Sequence, residues 1–62
     1  MMSTLEVVVE LKEAERILNR MRFEIKNADE NNLELLKTST LIGIANIRER
    51  LTEIEHILRE LK

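Results

Sequence analysis

An all-α fold is predicted: an antiparallel helical hairpin of two long helices that homodimerises into a four-helix bundle. Three observations predict it. Ile44, Ile47, Leu51, Ile54, Leu58 and Leu61 recur at alternating spacings of three and four, which lays one apolar stripe along a helix of about five turns. Leu, Ile, Glu, Lys and Arg dominate, with no Pro and a single Gly, a composition suited to helices. The chain has only 62 residues and no Cys. A core of that size without a staple rarely nets more than about 3–5 kcal/mol, so association with another chain is the remaining source of stability.

The whole chain is read as one hairpin domain, with helix 1 at about 4–28, a turn at about 29–31 and helix 2 at about 32–61. Ser3 with Glu6 fits a capping box, and Met2 with Val7 fits the hydrophobic staple around it. Helix 1 then carries Val7, Leu11, Ala14, Leu18, Met21, Ile25 and Ala28 on one seam, a seam without Glu. The β-branched run Val7-Val8-Val9 is weak in helix propensity, but the three–four rhythm continues well beyond it.

Asn27-Ala28-Asp29-Glu30-Asn31-Asn32 marks the turn. Asn and Asp side chains bond local backbone and tolerate the left-handed region. Asn31 followed by Glu34 fits a second cap. The phase of the pattern supports the break: the helix 1 seam, continued, would put Asn32, Leu35, Ser39, Ile42, Asn46 and Glu49 inside, whereas the later stripe puts Ile44, Ile47 and Leu51 there. A long continuous coiled coil is one alternative. A three-helix arrangement is another, with a further break in the hydroxyl-rich Lys37-Thr38-Ser39-Thr40.

Helix 2 is apolar nearly all round at residues 41–45. Gly43 in mid-helix costs roughly 1 kcal/mol against Ala, and it and Ser39 can mark a close helix crossing. Val8, Ile17, Leu36, Leu41, Ile42, Ala45 and Ile57 are expected to stay partly wet in a monomer. The expected oligomer interface is Leu11, Leu18, Met21, Ile25, Leu36, Leu41, Ile42, Gly43, Ile44, Ile47, Leu51, Ile54 and Leu58, centred on residues 41–45. The expected partner is a second copy, in a dimer or a tetramer, with another helical protein as the alternative occupant.

Little in the chain suggests catalysis. Glu53 and His56 have the Glu-x-x-His spacing of carboxylate-bridged di-metal bundles, but Ile54 holds the seam, so both point away from it. Glu55–Arg59 and His56–Glu60 are instead expected as i,i+4 pairs. His56 is followed by Ile57, and the chain has no Pro, whereas a histidine-kinase phosphoacceptor is followed by an acidic residue and, a few positions on, a Pro. One Gly leaves no phosphate-binding loop, and no nucleophile–base set can be assembled from the few Ser and Thr with one His. No catalytic residue, cofactor or metal ligand is assigned, and the chain is not expected to be an enzyme. The net charge of −2 gives no general attraction to nucleic acid or acidic membranes. No leader or membrane-spanning run is visible, so a cytoplasmic location without membrane association is expected.

One outward face stands apart. Lys12, Arg16, Asn19, Arg20, Phe23 and Asn27 lie on the side of helix 1 away from the seam, in a locally basic stretch. An exposed Phe among Arg and Asn can stack on an unpaired base while its neighbours bond phosphate. Here Lys12, Asn19, Phe23 and Asn27 resemble the RNA-gripping face of the Rop family, small plasmid copy-number RNA-binding proteins, with Asn in place of Gln. The acidic turn Asp29-Glu30 falls at a similar point, though the stripe sits closer to the turn than in that family. The resemblance implies a dimeric four-helix bundle and an RNA partner.

The first functional expectation is therefore interaction without catalysis: a small oligomeric adaptor, assembly factor or regulator. Its binding surface would be the groove left by the hairpin or the Val9-to-Phe23 side of helix 1. The second is a regulator that binds RNA through the Lys12–Phe23 face.

Overall fold

The computed structural model describes the backbone of residues 2–61 and the side chains of residues 4–61. It consists of two helices, α1 (Met2–Lys26) and α2 (Leu33–Glu60), packed antiparallel in a hairpin with extents of 50 × 15 × 10 Å. The Ser3–Glu6 cap and the Met2–Val7 staple each depend on a side chain, Ser3 or Met2, outside those described. Helix α2 runs unbroken through Lys37-Thr38-Ser39-Thr40, and residues 27–32 separate it from α1, so neither the three-helix arrangement nor the single long helix is formed.

The turn is built by its Asn and Asp side chains. Asn31 N–H donates to Asp29 Oδ1 at 2.8 Å, and Asp29 N–H donates to Asn32 Oδ1 at 2.9 Å. Asn32, not Asn31, is the N-cap of α2, and its side chain makes no cap hydrogen bond because Asp29 has claimed it. No described non-glycine residue adopts positive φ, so the left-handed tolerance of Asn is not used. At the end of α1, Asn27 N–H and Asn27 Nδ2 both donate to the Phe23 carbonyl, at 3.1 and 2.7 Å. Glu34 in the first turn of α2, with Lys26 and Arg59 in the last turns, suits the helix dipoles.

The hydrophobic core is small. Its buried residues are Ala14, Ile17 and Met21 on α1 and Gly43, Ile54 and Ile57 on α2, with Met21 and Ile17 lying over Gly43, and no described side chain is completely buried. This corrects the expected seam. Ile17 and Ile57, expected to stay wet, are in the core, while Leu11, Leu18, Ile25, Ile44, Leu51 and Leu58 are exposed. Each helix is turned so that only half of its apolar stripe meets the other. The rows that meet are Val7, Glu10, Ala14, Ile17, Met21, Glu24 on α1 and Leu36, Ser39, Gly43, Ile47, Arg50, Ile54, Ile57 on α2. Their spacings are again threes and fours, and the small residues Ala14, Ser39 and Gly43 let the backbones approach. Glu10 and Glu24 belong to this row, whereas the expected seam holds no Glu.

Candidate functional site

Two edges flank the contact between the helices, and they differ in chemistry. Along one edge, polar side chains tie the hairpin together. Arg50 Nη1 donates to Glu10 Oε2 at 3.0 Å, with both side chains about a quarter exposed. Nearer the turn, Ser39 Oγ donates to Glu24 Oε1 at 3.3 Å. Asn46, Glu49 and Glu53 line the same edge around Arg50. These cross-links fix the register, with Glu10 opposite Arg50 and Glu24 opposite Ser39.

The other edge carries the unused half of the stripe. Leu11, Leu18 and Ile25 repeat every seven residues on α1, and Ile44, Leu51 and Leu58 do so on α2. At ~100° per residue they sit about 50–95° round each helix from the buried row, on the side away from the Glu10–Arg50 pair. Antiparallel pairing brings both rows to the same edge, and Leu33 joins them near the turn. These seven side chains are 39–53% exposed. Fully burying a Leu or Ile is worth roughly 1.5–3 kcal/mol, so covering this edge would recover on the order of 5–10 kcal/mol per copy, an upper bound given compact unfolded chains.

Surface area leads to the same place. A compact 7.3 kDa monomer exposes about 4,200 Å² by the usual size scaling, whereas this hairpin exposes 5385 Å². The excess is on the order of 1,200 Å², more than the ~800 Å² that each partner contributes to a standard protein interface.

The remaining residues assigned to the interface divide. Met21, Gly43 and Ile54 are buried within the hairpin, and Leu36 and Ile47 are half-buried between its helices. Leu41 and Ile42 are exposed, but helical geometry puts Ile42 on the polar-edge side and Leu41 on the outer surface of α2. The apolar edge thus runs the length of the hairpin instead of centring on residues 41–45.

On the outer face of α1, Lys12, Arg16, Asn19, Arg20, Phe23 and Asn27 are all exposed, Phe23 at 66%. Arg16 is held by a bidentate contact to Glu13. Hydrogen bonding from Arg16 lowers the Glu13 carboxyl below its usual range and raises the Arg16 guanidinium in turn. Phe23 borders a shallow groove of about 420 Å³ at the turn, lined also by Glu24, Asn27, Asn32, Leu35, Leu36 and Ser39.

His56 is exposed, and Glu53 lines a groove with Leu5, Val9 and Ile57. Among the described residues no group of three or more His, Cys, Asp or Glu is placed to hold a metal ion. Arg59 pairs with Glu55 at 3.3 Å, whereas His56 makes no pair with Glu60. No helix of the described residues is long and apolar enough to cross a membrane. No family model, curated protein or solved structure matches the chain.

Proposed function

We propose that the chain is a non-enzymatic self-association module, two hairpins packing edge to edge into a four-helix bundle that serves a partner protein as adaptor, assembly factor or regulator in the cytoplasm. The observation that carries this reading is the contrast between the two edges. One is closed by Glu10–Arg50 and Glu24–Ser39, and the other exposes two heptad rows of Leu and Ile. A face of that length and apolarity on a small protein marks an interaction site, and helices with such rows cover them with other helices. The test is Leu18→Glu combined with Ile44→Glu, read by light scattering behind a sizing column. The parent runs at twice the monomer mass or more and the variant at monomer mass. A parent that is a folded monomer at every concentration sinks the reading.

A second reading draws support from the outer face of α1, where Phe23 stands two-thirds exposed between Arg20 and Asn27. Such a ring offers a stacking platform to an unpaired base. Retardation of structured RNA at low salt tests it, since backbone contacts strengthen as salt falls. Absence of any shift there removes the RNA reading without touching the first.

A further inference from the structure

We infer that the second copy docks end over end, the turn of one hairpin beside the chain ends of the other; this rests on the self-association proposed above. The register set by Glu10–Arg50 and Glu24–Ser39 places Leu11 level with Leu51 and Leu18 level with Ile44. These two layers are wholly apolar and lie either side of the hairpin's midpoint. One heptad further out on each side, the same rows reach Thr4 level with Leu58, and Ile25 level with Lys37. Each end layer thus holds one apolar and one polar residue.

Turned end for end, this pattern falls on itself. The middle layers exchange places, and so do the end layers. That self-complementarity is what a two-fold interface with its axis across the helices needs. Docking with both turns together also stacks the apolar layers, but it gathers both Lys37 side chains into one layer. Arg22 and Lys26 of both copies would flank them, with Glu34 the nearby acid on that half of the edge. Like charges held together away from bulk water are unfavourable. End-over-end docking instead sets the two lysines about 30 Å apart, at 1.5 Å of rise per residue. Each then lies beside Leu58 of the other copy, near the Glu55–Arg59 pair one turn away on α2, and away from the other Lys37.

The chain has no Cys, so Asn31→Cys gives a single attachment point for a nitroxide at the turn, where the Asn31 side chain makes no hydrogen bond. Glu30→Cys repeats the reading should the first label disturb the turn. The probe is the dipolar distance between labels by pulsed electron paramagnetic resonance, taken on a sample whose mass is measured in parallel. The expected result is dimer mass with labels roughly 40 Å apart, the length of the 28-residue α2. Dimer mass with labels within about 20 Å, two helix diameters, overturns this docking and leaves self-association standing. Monomer mass with no dipolar signal overturns both.

Discussion

The Met21 thioether lies against Gly43, so closely that a Cβ on Gly43 would meet Sδ at 2.8 Å and Cγ at 3.2 Å. Ile17 Cγ2 stands beyond it at 3.7 Å. The single glycine of the chain is therefore the floor on which α1 rests. Gly43→Ala gains about 1 kcal/mol of helix propensity and must move the flexible end of Met21. These oppose each other, and the expected change in urea stability is within about 1 kcal/mol. Gly43→Val drives branched carbons into both Met21 and Ile17, and overpacking of that kind costs roughly 1–3 kcal/mol. A valine variant as stable as the parent would show that the helices do not meet at this point.

The Glu10–Arg50 pair joins positions 40 residues apart in the chain. It is neither exposed nor dry, so its coupling belongs between the few tenths of a surface pair and the several kcal/mol of a buried one, at about 1 kcal/mol. A double-mutant cycle with Glu10→Gln and Arg50→Gln measures it. Coupling indistinguishable from zero in low salt would remove this pair as a determinant of register.

Charge placed on the apolar edge is expected to act differently from charge on the outer surface. Leu51→Glu should lower both the association mass and the melting temperature. Ile42→Glu, on the polar-edge side of α2, should leave the mass unchanged. Analytical sedimentation of the two single variants distinguishes them, and equal loss of association in both would place the interface elsewhere.

Acidification offers a local readout. Arg16 holds the Glu13 carboxylate below its ordinary titration range. The sign follows from linkage: a depressed folded-state value means a contribution present above the unfolded value and lost as pH falls through the folded one. Carboxyl NMR should show Glu13 titrating at lower pH than in the Arg16→Gln variant. Coincident curves would mean the contact does not persist in solution.

The outer face of α1 gives a control on stability. Phe23 contributes its carbonyl to Asn27 but leaves its ring two-thirds exposed. Surface truncations away from special features stay within about 0.5 kcal/mol, so Phe23→Ala should melt with the parent. A large loss would mean the ring is covered in the assembled protein.

The helix content, the hairpin and the place of its turn were legible in the residues, because the three–four rhythm and the Asn-rich break are local signals. The division of the stripe was not. Val7, Leu11, Ala14, Leu18 and Met21 form one unbroken pattern, yet Ala14 and Met21 face the sister helix while Leu11 and Leu18 do not. Periodicity reports how wide an apolar face is, not which neighbour covers each half. Ile17 and Ile57 entered the core because the helices are rotated toward Gly43 and Ser39, where small residues permit close approach. Asn32 stands as the cap residue while the Asn31 N–H is bonded to Asp29 within the turn, and neighbouring Asn residues cannot be told apart by type. The interface residues read from the sequence included six of the seven edge residues, Leu11, Leu18, Ile25, Ile44, Leu51 and Leu58, but not Leu33, and mixed them with Met21, Gly43 and Ile54 from the hairpin interior.

The most direct test of the central claim is the mass of the unmodified chain in solution, by light scattering behind a sizing column over a wide range of protein concentration. A dimer that falls apart only as helicity is lost is expected, because the internal core is small and the apolar edge is left exposed. A helical monomer that keeps its mass and its fold at every concentration would contradict it.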